Sequence, residues 1–131
     1  MKKIIILIVL IVIIGLGYWF SQEENNNLVY SNENEEITVK SGDKFTIALE
    51  SNPTTGFSWM DEIKQNKVSF IEKEFISSQD KNDTEIVGVG GIEYFTYQAG
   101  EKGESYISFM YARPWESVQP LERKEFHIII E

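Results

Sequence analysis

The sequence predicts an all-β fold, an antiparallel β-sandwich of about seven strands preceded by an N-terminal apolar helix. From Ile37 onward, apolar residues recur with a period of two rather than 3.6. Turn-forming stretches such as Ser41-Gly42-Asp43 and Gly100-Glu101-Lys102-Gly103 break that alternation at short intervals. No segment of the same region carries the apolar stripe of an amphipathic helix.

Each strand has its own signature. Ile37-Thr38-Val39 is the first. In Lys44-Phe45-Thr46-Ile47-Ala48-Leu49-Glu50, the residues Phe45, Ile47 and Leu49 share one parity and line one face. Phe57 to Ile63 follows, with Trp59 placed as a central core aromatic, and then Val68 to Ile76. Ile92 to Ala99 puts Phe95 and Tyr97 on one face, Tyr106 to Ala112 turns Ile107, Phe109 and Tyr111 inward, and Glu125 to Ile130 does the same for Phe126, Ile128 and Ile130.

Ahead of the sandwich, residues 1–22 read as a membrane anchor or signal segment. Ile4–Phe20 holds seventeen residues without a charge, about 26 Å of helix, with Lys2 and Lys3 before it and Tyr18 and Trp19 at its end. Its length and the lack of an A-x-A-like site favour an uncleaved anchor, with the remainder extracytoplasmic; Gly15 and Gly17 keep open a cleaved signal and a secreted domain. Residues 23–34, rich in Glu and Asn, read as a polar tether with one short strand at Leu28-Val29-Tyr30. Residues 35–131 form the domain.

Composition narrows the function. The 131 residues carry a net charge of −9, and without Lys2 and Lys3 the remaining ten cations face 21 acids, a net −11. Such a surface repels phosphate, so no nucleic-acid partner is expected. Cysteine is absent, which removes disulfides, thiolate metal sites and a thiol nucleophile. The sole histidine, His127, has outward parity on the last strand and reads as a solvated surface imidazole. No pair of acid–base groups is fixed by spacing, so the chain is not expected to be an enzyme or to need a cofactor. Asp80, Asn82, Asp83 and Glu85 offer oxygen ligands but lack the spacing and turn glycine of an EF-hand; a solvated loop is expected there, and no metal.

Three stretches are left over, and each lies in a loop. Asn52-Pro53-Thr54-Thr55-Gly56-Phe57 joins two strands: Pro53 fixes its own φ and biases Asn52 away from the helical region, while Gly56 can take a positive φ. A loop so constrained loses little entropy on docking. Gly88-Val89-Gly90-Gly91 places three glycines in four residues and lets another surface approach the main chain. Arg113-Pro114-Trp115 follows the point where inward alternation stops, and pairs the residue types most enriched at binding hot spots. In an antiparallel sandwich alternate connections fall at the same end, so these loops should converge.

On Asn52-Pro53-Thr54-Thr55-Gly56-Phe57-Ser58-Trp59, on Gly88-Val89-Gly90-Gly91 with Phe95 downstream, and on Arg113-Pro114-Trp115, the sequence resembles the chagasin-type inhibitors of papain-like cysteine proteases. The resemblance covers about residues 35–131 and implies an immunoglobulin-like sandwich. It also implies that the domain is a reversible, tight-binding inhibitor of papain-like or cathepsin-L-like enzymes, expected to be a monomer, which plugs the active-site cleft with three loops. Thr54 and Thr55 would then sit beside the catalytic cysteine and histidine. Gly88, Gly90 and Gly91 would let the second loop lie along the non-primed side, and Arg113 and Trp115 would cover the primed side. A membrane-tethered immunoglobulin-like binding or adhesion domain with no protease target is the other reading, because fold alone does not separate the two.

Overall fold

The computed structural model describes residues 28–79 and 88–131. The anchor or signal segment, the first part of the tether, and the acidic residues Asp80 to Glu85 lie outside the described residues.

The chain folds as two four-stranded sheets packed face to face. The strands are β1 (Leu28–Tyr30), β2 (Ile37–Val39), β3 (Lys44–Ser51), β4 (Ser58–Lys64), β5 (Val68–Ser77), β6 (Gly91–Ala99), β7 (Gly103–Ala112) and β8 (Glu122–Ile130). One sheet has the order β1-β3-β6-β5 and the other β2-β8-β7-β4. Eight strands are therefore present among the described residues, Leu28–Tyr30 being the addition to the seven read in the domain.

The expected antiparallel arrangement holds for β3–β6, β5–β6, β4–β7 and β7–β8. It does not hold for the two short edge strands, since β1 runs parallel to β3 and β2 parallel to β8. Alternation specifies which face a side chain takes, not the direction of the neighbouring strand. The chain crosses from one sheet to the other between Tyr30 and Ile37: β1 runs with β3 toward the Asn52–Gly56 loop, and β2 runs back with β8 away from it.

The inward sets read from parity meet as one core. Phe45, Ile47, Leu49, Trp59, Phe95, Tyr97, Ile107, Phe109, Phe126, Ile128 and Ile130 are buried together. Phe109 is the hub: its ring meets Phe95 at 4.9 Å, Phe126 at 5.7 Å and Trp59 at 6.4 Å, all edge to face. The Trp59 indole N–H donates to Glu50 O at 2.9 Å, so burying this ring leaves no orphaned donor. Tyr97 is anchored by donating to Asp61 Oδ2 at 2.8 Å. Burial first, and then the Asp61 charge, push its phenol far above the ordinary value.

Strand β5 departs from simple alternation. Val68 alone of its residues is buried, and Phe70, Ile71, Phe75 and Ile76 stay part-exposed at the sheet edge. A register shift between Phe70 and Glu72 leaves Ile71 unpaired, so Phe70, Lys73 and Phe75 lie opposite Tyr97, Phe95 and Glu93 on the core side. Two aromatics five positions apart share a face only because of that bulge. The charges of Glu72, Lys73 and Glu74 at its centre protect the edge against pairing with another strand.

Candidate functional site

The loop between β3 and β4 is built from its own chemistry. Asn52 sits at φ −133° and ψ 84°, outside the helical region, and Pro53–Thr55 then makes one 3-10 turn closed by Gly56 at φ +81°. Thr55 N–H donates to Asn52 O at 3.1 Å and Gly56 N–H to Pro53 O at 2.9 Å. The threonine hydroxyls close the loop further: Thr54 Oγ1 donates to Asn52 Oδ1 and Thr55 Oγ1 to Asn52 O, both at 2.6 Å. The tip stays exposed while its backbone is internally bonded.

The loop between β7 and β8 braces the first. Arg113 Nε donates to Thr55 O at 3.1 Å, its guanidinium lies 4.5 Å from the Phe57 ring centre, and Nη1 reaches Glu116 at 3.1 Å. Phe57 also meets Tyr111 at 5.4 Å, and the Tyr111 hydroxyl accepts from Asn52 N–H at 2.9 Å. Trp115, which follows Pro114, is 70% exposed, and the edge of its ring stands over Gly56. A Cβ built on Gly56 would lie 2.6 Å from Trp115 Cη2. Glycine is needed there twice over, for the positive φ and for the ring above it.

The end of the β5–β6 loop closes the group. Asn52 Nδ2 donates to Gly88 O at 3.2 Å, and Ser78 N–H donates to Gly90 O at 3.0 Å. Gly90 and Gly91 approach the domain's own backbone rather than open space. A Cβ on Gly91 would fall 2.2 Å from Ile76 O and 2.7 Å from the Phe75 ring, so a side chain at Gly91 would break the β5–β6 pairing. An open groove of about 390 Å³ runs between the first and second loops over Ser51, Asn52, Gly90 and Tyr111.

All three odd stretches of the sequence thus come to one end of the sandwich, where the second and third each bond to the first. Asn52 is the hinge of the cluster, touching its own loop, Gly88 and Tyr111. Arg113 commits two of its five donors inside the domain, Nε to Thr55 O and Nη1 to Glu116, so it braces the rim as well as forming part of it. Phe57 is not a core residue of β4 but a half-buried ring held between Arg113 and Tyr111. By parity Tyr111 reads as core only; its hydroxyl lies 59 positions from Asn52, a pairing that no local pattern reveals.

His127 lies away from this edge. It is on the outer face of β8, but not freely solvated: the ring stacks on Tyr106 at 4.6 Å, between Glu36 at 3.4 Å and Glu104 at 3.3 Å. Among the described residues no group of three or more His, Cys, Asp or Glu side chains is placed to hold a metal ion.

What fold and edge define is a protein-recognition module: a rigid sandwich that presents a preformed, three-loop rim. The sequence model of the chagasin family of peptidase inhibitors, I42, matches residues 38–130, and the chain belongs to that family. Being a member of an inhibitor family, it is a peptidase inhibitor and not an enzyme. Amoebiasin-1 of Entamoeba histolytica is 32% identical over 68% of this chain and 83% of its own. Chagasin of Trypanosoma cruzi is 31% identical over 60% of this chain and 73% of its own. Among solved structures, the cysteine protease inhibitor EhICP2 of Entamoeba histolytica superposes with a TM-score of 0.67 at 21% identity, over 79% of this chain and 95% of that one, which shows the shared fold.

Proposed function

We propose that the domain is a reversible, tight-binding inhibitor of papain-like cysteine proteases that occludes their active-site cleft with the three-loop rim. The observation that carries this reading is the bonding of Gly88–Gly91 and of Arg113–Trp115 to Asn52–Gly56 at one end of the sandwich. A wedge that is already ordered gives up little conformational entropy on entering a groove.

The same bonds account for resistance to cleavage. A protease attacks a carbonyl carbon while its oxyanion donors take the carbonyl oxygen. In the first loop, the oxygens of Asn52, Pro53 and Thr55 already accept from Thr55 N–H, Gly56 N–H and Arg113 Nε. Turning the Asn52 or Pro53 oxygen toward the enzyme means opening the 3-10 turn, and turning the Thr55 oxygen means breaking the bond from Arg113. The peptide bonds that follow Asn52, Pro53 and Thr55 are therefore poorly placed for attack, with Thr54 and Thr55 beside the catalytic pair. Trp115 supplies the apolar anchor on the primed side, and Gly88 and Gly90 lie along the non-primed side; Gly91 supports them from within the sheet. No covalent step is required of the inhibitor.

Ile4–Phe20 would hold the domain to a membrane on its outer face, a reading supported by the length and flanks of that segment alone. Among the described residues no helix is long and apolar enough to cross a membrane, and Ile4–Phe20 lies outside them.

The test is steady-state inhibition of papain and a cathepsin-L-like enzyme by the purified chain. Stoichiometric, reversible inhibition with the added protein recovered intact is the expected result. Absence of inhibition at micromolar concentration across several papain-like enzymes contradicts the proposal.

A further inference from the structure

Beneath the rim lies a buried carboxylate that the strand pattern leaves unexplained. Glu93 occupies an inward position of β6, in line with Phe95 and Tyr97, and is 1% exposed. Three donors converge on it from different strands. Ser51 Oγ, the last residue of β3, donates to Oε1 at 2.5 Å; Trp59 N–H, at the start of β4, donates to Oε2 at 3.3 Å; and Lys73 Nζ of β5 lies 2.6 Å from Oε2. Ser51 and Trp59 are the two stems of the Asn52–Phe57 loop.

Lys73 is equally committed. Besides Glu93 its ammonium donates to Ser58 Oγ and to Trp59 O, each at 2.9 Å, which uses all three of its N–H groups. It also lies 4.9 Å from the Phe95 ring centre. Lys73 thus reaches from β5 in one sheet to the first residues of β4 in the other, while Glu93 closes the circuit through β3. Both also flank the second loop, since β5 runs into that loop and β6 out of it.

We propose that Glu93, with Lys73, is the positioning residue of the inhibitory rim: a buried clamp that fixes both stems of the first loop to the strands bearing the second. The inference rests on the reading of the rim as a protease wedge. Its chemistry is specific, because a carboxylate accepts from the hydroxyl and the amide N–H and at the same time supplies the counter-charge of the ammonium. Glutamine keeps the shape of Glu93, but even with its NH2 turned to the Ser51 hydroxyl it takes away that hydroxyl's acceptor and leaves Lys73 without its counter-charge. Glutamine fills the same buried volume, so the effect of the change should be read in the loop rather than in core packing.

The chain carrying Glu93→Gln is compared with the wild type in two assays. Amide hydrogen exchange reads the loop without any protease: exchange at Thr55 and Gly56 should accelerate at least about tenfold while β7 and β8 keep their protection. Papain inhibition should weaken at least about tenfold, and the loss should shrink to under about threefold in a Thr54→Ala/Thr55→Ala background, because both changes act through one loop. Ser51→Ala, which removes one hydroxyl and leaves the ion pair, serves if Glu93→Gln does not fold; it should give the same loop-confined acceleration at about threefold. Unchanged exchange at Thr55 and Gly56, acceleration shared equally by β7 and β8, or a loss of inhibition fully additive with the threonine changes would each overturn the clamp. A wild-type chain that fails to inhibit papain defeats the functional reading instead, and the exchange result still decides the clamp.

Discussion

Replacing Trp115 by alanine separates a binding role from a folding role at a single position. The ring is 70% exposed in the free domain, so most of an indole is available to a partner. A tryptophan side chain has up to about 250 Å² to bury, which leaves roughly 175 Å² here; at about 25 cal/mol per Å² the ceiling is about 4 kcal/mol. Alanine keeps its Cβ and no interface covers a ring completely, so about half that, near 2 kcal/mol, is the expected loss. This corresponds to an inhibition constant raised about thirty-fold. The contact over Gly56 is the ring's main tie to its own domain, and losing it should lower the melting temperature by no more than about 5 °C. Titration of papain activity gives the first quantity and thermal denaturation the second. A variant that unfolds at a much lower temperature, yet inhibits normally once corrected for its folded fraction, refutes the reasoning and makes Trp115 a structural lid.

Gly56→Ala should act on the rim from the other side. An L-residue at φ +81° costs about 1–2 kcal/mol, and the new methyl displaces the Trp115 ring, so inhibition should weaken at least about tenfold with a shifted indole signal in the NMR spectrum. An unaltered inhibition constant would mean that neither the loop conformation nor the ring position matters. Trp59→Ala should destabilise the domain by about 3–5 kcal/mol in urea denaturation, because it empties a buried site beside Phe109 and removes the indole donor to Glu50 O; a loss below about 1 kcal/mol would contradict its place in the core. Tyr97 should show a one-sided pH effect. Its folded-state pKa is raised, so the native state holds the proton more tightly, and the stability it contributes is complete below the unfolded value near 10 and falls as pH rises beyond it. Tyr97→Phe should flatten that alkaline decline, measured by denaturation between about pH 9 and 11; an unchanged slope would assign the decline to other groups.

The sandwich was legible wherever one face of a strand is buried. Phe45, Ile47 and Leu49, or Phe126, Ile128 and Ile130, encode a face by parity alone, and all are buried in the structure. The extents of β7 and β8 were less so, because Gly103-Glu104 and Glu122-Arg123-Lys124 extend the hydrogen-bonded ladder through charged, exposed positions that carry no apolar signal. Strand β5 hid its faces behind a bulge whose trace in the sequence is the odd spacing of Phe70 and Phe75. The gathering of the three loops followed from a topological rule and was therefore accessible. The braces were not, since Arg113 to Thr55 and Tyr111 to Asn52 depend on side-chain atoms 58 and 59 positions apart. Glu93 did leave a trace: a carboxylate at the inward parity of Phe95 and Tyr97 needs partners, and the structure supplies them.

The claim that carries the rest is spatial: the rim formed by Asn52–Gly56, Gly88–Gly91 and Trp115 is the surface that enters a protease cleft. A crystal structure of the chain bound to papain measures this directly. Thr54 and Thr55 should lie in van der Waals contact with the catalytic cysteine, with the Trp115 indole buried against the primed side and every peptide bond of the first loop intact. A complex that leaves this rim in solvent and binds through another face of the sandwich would contradict the account.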